Sequence, residues 1–492
     1  MSVLGVLILT DCAQHPVAVS EKTAPASETP AAPAGAGEAG APVSDQQEIR
    51  MGAQGNTAVL KEYAVLDAPA LQAYVNAVGQ RLAKQSPRAG LPWHFTVVDS
   101  PDVNAFSLPG GYVYVTRGLL TYLNSEAELA AVVGHEIGHV NARHALRWQN
   151  ASPAAPATGA ALGSILMPPS RDQAGADVLQ SLGKAFTAGY GPEYELEADR
   201  LGAGYLAAAG YDPQAMVKAI HVLKNQKRFF VKQAARDRQP PPVTYHGIVA
   251  PDSGDDAGLQ RAVADARASV AIPAREGRAD YLQKLVGLYF GDSPDQGMIR
   301  NNALLHEKLG LAIQFPVGWR VRNRPDRVVA TNPAGDAVVE LEQGPANDDP
   351  METLRRGVTL DAGARYDSGH LGGYPAAFAA GTQQGKPAVV AVVVFNGTQY
   401  LIGGMTRDAL AYERERGALR AAINSFHAIT PAEQLAARPY VLQLMTARSG
   451  LTMAALARRS PLGIDAESEL RLLNDLYPGG EPKPGQRLKI VE

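Results

Sequence analysis

The residues best suited to chemistry are His135, Glu136 and His139, within His135-Glu136-Ile137-Gly138-His139. Two histidines four positions apart on a helix point from one face, so both imidazoles can bind one zinc ion. Glu136 can then remove a proton from water that the zinc polarises. The pattern predicts a zinc-dependent peptide hydrolase with one zinc ion per chain and Glu136 as catalytic base. The alternative is a pair of core histidines in a buried helix.

A catalytic zinc ion usually has three protein ligands and one open position, so a third ligand must come from elsewhere. No histidine follows at H-x-x-G-x-x-H spacing, because Ala142 and Ala145 stand at those positions. The best candidate is Glu195, which shares a helix face with Asp199, four positions later. Asp199 can accept the N–H of a ligand histidine. The alternative is an acidic first helical turn, which the helix dipole favours.

Two further polar residues lie close in sequence to these candidates. Glu197 is expected to point away from the site and to be solvated. His144 lies five positions after His139, off the ligand face, and is interpreted as structural or solvent-facing.

The elements that must position these groups can also be predicted. Two helices fill about 46–90, and two short β-rich runs follow, joined by NAFSLPGG at 104–111. Ser125-Glu126-Ala127-Glu128 is a capping box that opens the helix of the histidines. A second helix carries Glu195.

Composition excludes several classes of protein. The 492 residues carry 46 Lys+Arg against 49 Asp+Glu, a net charge of -3, so a nucleic-acid binder is not expected. No run approaches the roughly 18 apolar residues of a membrane-spanning helix, which excludes a multi-span protein. The single cysteine, Cys12, rules out an intrachain disulfide framework and a thiolate zinc site.

The first residues, MSVLGVLILTDCAQ, form a short apolar stretch that ends near Cys12. Such a stretch predicts an export signal at 1–12 and lipidation at Cys12, hence a periplasmic lipoprotein anchored in the outer membrane. The alternative is a disordered start with an incidental thiol. Residues 13–45 are rich in Ala, Pro, Gly, Ser and Glu, which predicts a disordered linker.

The segments NAFSLPGGYVYVTRGLL, ELAAVVGHEIGHVNARH and ELEADRLGAGYL together resemble the gluzincin metallopeptidases of the HtpX, CAAX prenyl protease and periplasmic BepA type. The resemblance covers about 46–290 and implies a mainly helical zincin-type domain with a small β-sheet, at 46–292. It implies that His135, His139 and Glu195 bind zinc, that Glu136 is the base, and that Asp199 supports a ligand.

The same resemblance identifies two further features. Asn104, Ala105 and Phe106 are similar to the edge strand that pairs with substrate backbone, although an ordinary buried strand is the alternative. Periplasmic relatives carry T-H-P-x-x-x-x-R after Y-H-G, with a histidine that can cap the zinc. Here Asp252 stands in its place, so His246 or Asp252 is a candidate regulatory residue or fourth ligand.

The C-terminal half resembles two accessory modules. Residues 300–430 are similar to PsbP-like α/β sandwiches, and residues 437–492 are similar to a LysM module. The predicted fold class is therefore multidomain α+β: a zincin-type domain, an α+β sandwich and a small LysM-like module.

The resemblance implies a metalloendopeptidase that degrades unfolded or misassembled envelope proteins, as outer-membrane quality control. Expected partners are these substrates, the outer-membrane assembly machinery, peptidoglycan through the tail, and a membrane surface through the lipid. One alternative is a chaperone or assembly factor with a little-used protease site. Another is an envelope protein whose main function is to bind peptidoglycan.

Overall fold

The computed structural model describes residues 43–151, 190–236, 256–268, 274–345 and 349–492. Cys12, His246 and Asp252 lie outside these ranges, as do the predicted signal and most of the predicted linker. Within the described ranges, no helix has both the length and the apolar character needed to cross a membrane.

The first folded elements are two helices and a small sheet. The helices are α1 (Asp45–Glu62) and α2 (Pro69–Ala83), which correspond to the two helices predicted over about 46–90. The strands are β1 (His94–Val98), β2 (Ala105–Leu108) and β3 (Tyr112–Thr116). Their order is β1-β3-β2, with β1 parallel and β2 antiparallel to β3, so β2 is an outer strand.

The described residues between 117 and 284 form seven further helices: α3 (Arg117–Tyr122), α4 (Glu126–Asn141), α5 (His144–Ala151), α6 (Pro192–Ala208), α7 (Gln214–Arg236), α8 (Asp256–Arg267) and α9 (Arg278–Lys284). Helix α4 begins where predicted, because the Ser125 hydroxyl accepts the N–H of Glu128. The capping box is incomplete, since the Glu128 carboxylate accepts the N–H of Asn124 at 2.7 Å instead. Helix α4 is buried along nearly its whole length, so it is the central helix of this half.

The next part of the chain is mainly antiparallel sheet. Its strands are β4 (Tyr289–Phe290), β5 (Met298–Arg300), β6 (Ala303–His306), β7 (Leu311–Gln314), β8 (Arg320–Asn323), β9 (Arg327–Thr331), β10 (Ala337–Gln343), β11 (Arg365–Leu371), β12 (Tyr374–Gln383), β13 (Lys386–Phe395), β14 (Thr398–Thr406) and β15 (His427–Ala428). Two helices accompany them, α10 (Pro350–Gly357) and α11 (Ala409–Asn424).

Seven of these strands form one sheet in the order β11-β12-β13-β14-β10-β9-β8, and a four-stranded sheet has the order β15-β7-β6-β5. Leu419 of α11 packs into the cluster on one side of the large sheet, and Leu354 of α10 into the cluster on the other. The predicted multidomain α+β class, with helices and several sheets, is confirmed.

The C-terminal segment consists of α12 (Pro431–Ala436), β16 (Tyr440–Thr446), α13 (Met453–Ala457), α14 (Ala466–Leu473) and β17 (Arg487–Val491). Strand β16 pairs with both β17 and β4. Leu470 and Leu488 belong to the same hydrophobic cluster as Leu129 and Val133 of α4. This segment therefore shares its core with the helices around α4.

A buried lysine fastens this segment to the end of α3. The Lys489 ammonium is inaccessible to solvent and donates to the carbonyl oxygens of Thr121 at 2.6 Å and Leu123 at 2.7 Å. The Tyr122 hydroxyl donates to Glu469 at 3.0 Å. The contacts hold the C-terminal strand against the turn that leads into α4.

The N-terminal end of α4 is held by a buried carboxylate. Glu126 accepts from Arg81 at 2.9 Å, Arg275 at 2.6 Å, Tyr211 at 2.6 Å and Tyr74 at 2.7 Å. Burial alone would raise the pKa of Glu126, but the hydrogen bonds from Arg275, Tyr211 and Tyr74 lower it to about 2. The ionised carboxylate therefore joins α4 to α2 and to the segments that carry Tyr211 and Arg275.

We predict that Glu126→Gln lowers the free energy of unfolding at pH 7 by roughly 2–3 kcal/mol. A carboxyl whose folded pKa lies below its unfolded pKa stabilises the fold above pH 4.5, and this contribution is lost as pH falls towards 2. The variant should therefore lose less stability than the wild type between pH 5 and 2. Urea titrations across this range measure both effects, with the exposed Glu193→Gln as control. Parallel acid profiles for wild type and Glu126→Gln would contradict the prediction.

We predict that Lys489→Met lowers the free energy of unfolding by about 1–3 kcal/mol, because two buried carbonyl oxygens lose their donor. The exposed Lys483→Met should change it by less than about 0.5 kcal/mol. Thermal or urea unfolding of the full chain compares the two variants. Equal stabilities would show that the buried ammonium does not fasten the C-terminal segment.

Candidate metal centre

Helices α4 and α6 approach each other at glycines. A Cβ on Gly138 would lie 2.8 Å from the backbone oxygen of Ala198 and 3.0 Å from its Cα. A Cβ on Gly202 would lie 3.0 Å from the backbone nitrogen of His135. A Cβ does not fit at distances this short, so only glycine at these positions allows the two backbones to come into contact. This approach brings the Glu195 side chain of α6 to the histidines of α4.

Three buried side chains converge at this crossing. The Nε2 atoms of His135 and His139 are 2.8 Å apart. Oε2 of Glu195 lies 3.4 Å from Nε2 of His135 and 3.6 Å from Nε2 of His139. Donor atoms of all three lie within 4.8 Å of one another, an arrangement that could hold a metal ion.

The second nitrogen of His135 faces a carboxylate. Its Nδ1 is 2.8 Å from Oδ1 of Asp199, which lies one turn after Glu195 on α6. Because an ionised carboxylate only accepts, Nδ1 carries a proton, and in the neutral form of His135 the Nε2 lone pair faces the other donors. Burial opposes protonation of His135, but Asp199 and Glu195 raise its pKa well above the usual value.

The state of Glu195 shows that these residues fit a cation. Both of its carboxylate oxygens are buried without a hydrogen-bond partner. Burial raises the pKa of Glu195, but the two imidazoles outweigh burial and lower it to about 2, so the group is ionised. A buried anion without donors is costly unless an opposite charge compensates it. Two imidazole nitrogens and one carboxylate form a donor set that suits zinc.

The Glu136 carboxylate is buried beside this cluster. Its Oε2 accepts a hydrogen bond of 2.9 Å from the Ser107 hydroxyl on β2. Asn104, Ala105 and Phe106, the residues named from the edge-strand resemblance, lie at and before the start of the same outer strand, with Ala105 and Phe106 buried. Ser107 was not predicted as a functional residue, although its position next to Phe106 was the available signal.

The solvent-facing interpretation of His144 is wrong. This residue is inaccessible to solvent, and its Nδ1 lies 2.8 Å from Nδ1 of His139. Its Nε2 lies 3.2 Å from Glu197, which also accepts from Arg147 at 2.7 Å. Burial and the neighbouring His139 lower the pKa of His144 to about 4. Glu197 is therefore a hydrogen-bond acceptor in the site rather than a freely solvated group.

Two tyrosines pack over the histidines, and neither was predicted from the sequence as a residue of the site. The ring centroid of Tyr190 is 4.8 Å from that of His139, and Tyr194 is 4.8 Å from His144. Burial, with the charges of Glu136 and Glu195, raises the pKa of Tyr190. The four-residue spacing of the tyrosines, just before the ELEAD segment, was the signal in the sequence.

A helix-borne histidine pair, a glutamate between them and a glutamate from a second helix define the site of a gluzincin-type metallopeptidase. Residues 69–284 match the family model described as Peptidase family M48. A match to this family implies a metal ion, typically zinc, at the cluster of His135, His139 and Glu195.

Two curated relatives each match less than half of the chain. The beta-barrel assembly-enhancing protease of Escherichia coli (strain K12) is 34% identical over 196 residues, covering 39% of this chain and 40% of its own length. The mitochondrial metalloendopeptidase OMA1 of Arabidopsis thaliana is 35% identical over 155 residues, covering 31% of this chain and 30% of its own length. The chain thus spans less than half the length of these relatives.

Among solved structures, the cyanobacterial PsbP protein of Synechocystis sp. PCC 6803 matches 28% of this chain and 98% of its own length. The sequence identity is 12% and the TM-score is 0.22.

We predict that the purified protein binds about one zinc ion per chain and that His139→Ala abolishes this binding at micromolar zinc, because a single imidazole and a carboxylate cannot hold the ion. Elemental analysis after dialysis against buffered zinc measures the stoichiometry. His94→Ala, an exposed histidine on β1, is the matched control. Equal zinc content in His139→Ala and the control would contradict the assignment.

Proposed function

We propose that this protein is a zinc metalloendopeptidase. The observation that carries the proposal is the convergence of His135, His139 and Glu195 on one point beside the Glu136 carboxylate. In this proposal His135, His139 and Glu195 hold one zinc ion. The matching relatives are named as a protease and as metalloendopeptidases, which supports the same chemistry.

The residues of the chain have distinct roles in the proposed reaction. A zinc ion in this site would supply Lewis-acid activation of water and of the scissile carbonyl. Glu136 takes the proton of the attacking water and returns it to the leaving amine. Ser107 donates a hydrogen bond to Oε2 of Glu136 and so helps to orient this carboxylate. Asp199 keeps the His135 proton on Nδ1, so that Nε2 can ligate.

Substrate is proposed to bind as an extended strand along β2. This strand lies at the outside of its sheet, and its Ser107 contacts the catalytic carboxylate. A peptide added beside β2 would therefore pass the base. Main-chain hydrogen bonds to a strand do not depend on side-chain identity, so unfolded segments of many sequences would be accepted.

We further propose that the protein acts in the periplasm on unfolded or misassembled envelope proteins, anchored to the outer membrane through Cys12. The support is the sequence resemblance and the naming of several relatives for beta-barrel assembly. Contacts with the outer-membrane assembly machinery, and peptidoglycan binding by residues 437–492, belong to the same proposal. So does a PsbP-like accessory domain at 300–430. A regulatory contact of His246 or Asp252 with the metal is also proposed.

We predict that Glu136→Gln lowers the rate of casein cleavage by about 10²–10⁴, because an amide cannot accept the proton of the attacking water. Cleavage is measured with zinc-loaded protein, and zinc content is checked in the same samples. Glu193→Gln, the same substitution at an exposed position of α6, should leave the rate unchanged. Equal cleavage by Glu136→Gln and wild type would remove the protease assignment.

A further inference from the structure

A continuous series of polar side chains leads away from His139. Its Nδ1 is 2.8 Å from Nδ1 of His144, and Nε2 of His144 is 3.2 Å from Oε2 of Glu197. The same oxygen of Glu197 accepts from Arg147 at 2.7 Å. His139 and His144 are buried, whereas 32% of the Glu197 side chain is exposed, so the series connects the metal centre with the surface.

The chemistry of these groups allows only one assignment of protons when His139 is a ligand. Glu197 is ionised beside Arg147 and can only accept, so His144 carries its proton on Nε2. The Nδ1 of neutral His144 is then an acceptor. His139 must therefore donate its Nδ1 proton to His144, which leaves the Nε2 lone pair of His139 free to face the other donors. The carboxylate at the far end thus determines which nitrogen of His139 can bind a metal.

Neighbouring contacts hold the series in place. The Arg147 guanidinium lies over the Tyr194 ring, 4.7 Å from its centroid, while it donates to Glu197. The Tyr194 ring meets His144 edge-on, with 4.8 Å between centroids. His144 is therefore fixed in position by an aromatic ring on α6 and by hydrogen bonds at both of its nitrogens. A rotating His144 could not act as a directional acceptor.

Each ligand histidine then has its own carboxylate on α6. Asp199 contacts His135 directly, and Glu197 acts on His139 through His144. Glu195, Glu197 and Asp199 lie in a single five-residue segment, so α6 supplies the third donor and both groups that orient the histidines. If a loosely held water molecule took the place of His144, His139 would have no acceptor of fixed direction.

We propose that His144 is a positioning residue that fixes the tautomer and orientation of His139, with Glu197 as the terminal acceptor. This inference rests on the proposed zinc site, and its chemical target is the zinc affinity of that site. Groups that orient a ligand histidine commonly change metal affinity by about 10–100-fold when they are removed.

The first test compares two substitutions of His144 in the full-length protein. His144→Leu fills the space without an acceptor, and we expect it to weaken Zn²⁺ binding by about 10–100-fold. His144→Asn places an amide oxygen near the position of Nδ1, so it should restore most of the loss, to within about tenfold of wild type. The dissociation constant for Zn²⁺ is measured by competition with a chromogenic chelator. Thermal unfolding of each apoprotein shows whether the variant is folded.

The second test uses the more exposed end of the series, where misfolding is not expected. Glu197→Ala should weaken Zn²⁺ binding by about 3–10-fold, a smaller effect than that of His144→Leu because the acceptor itself remains. Glu193→Ala removes an exposed glutamate from the same helix and should leave the affinity unchanged.

The outcomes separate this inference from the proposed function. Equal losses in His144→Leu and His144→Asn would indicate a packing role and overturn the inference, as would unchanged Zn²⁺ affinity in both His144→Leu and Glu197→Ala. In each case the wild type would still bind zinc and the metalloendopeptidase proposal would stand. A wild type that binds no Zn²⁺ would overturn both.

Discussion

The structure of the site depends on the close crossing of α4 and α6, in which the backbone at Gly138 meets the backbone of Ala198. A glycine inside a helix costs about 1 kcal/mol relative to alanine, and sequence alone shows only this cost. At the crossing any side chain would contact backbone atoms, which cannot move unless the helix moves. The glycine pair Gly138 and Gly202 therefore sets the separation of the helices, and with it the distance from Glu195 to the histidines.

How much of the site could be predicted depended on how local each contact is. The pairing of His135 with His139 follows from helical geometry within one turn, so spacing was sufficient. Glu195 lies on another helix, and its prediction as the third ligand rested on the helix face that it shares with Asp199 and on a family resemblance. His144 was predicted to be structural or solvent-facing, and its contact with His139 was missed because helix α4 ends at Asn141 and Arg143 adopts a positive φ of 54°. The helix is interrupted there, so helical spacing counted from His139 does not predict where His144 lies.

The fold shows the same division between local and long-range information. Strand and helix patterns located the elements around the site, since alternation and capping are local signals. The position of the C-terminal segment could not be read from them. Lys489 stands in an alternating strand where a lysine would be expected to face water, yet its ammonium is buried against two carbonyl oxygens of α3 and the following residue. Only the tertiary structure places these acceptors opposite the strand.

The charges on α6 connect the metal centre to the stability of the fold. Three carboxylates in five residues repel one another in a partly dehydrated region, so each needs a counter-charge or donors. Asp199 has His135, and Glu197 has His144 and Arg147, whereas the oxygens of Glu195 have no hydrogen-bond donor. A divalent cation bound by Glu195 would complete this set. Metal binding and packing of α6 against α4 should therefore be thermodynamically coupled, because a ligand that binds only the folded arrangement stabilises it.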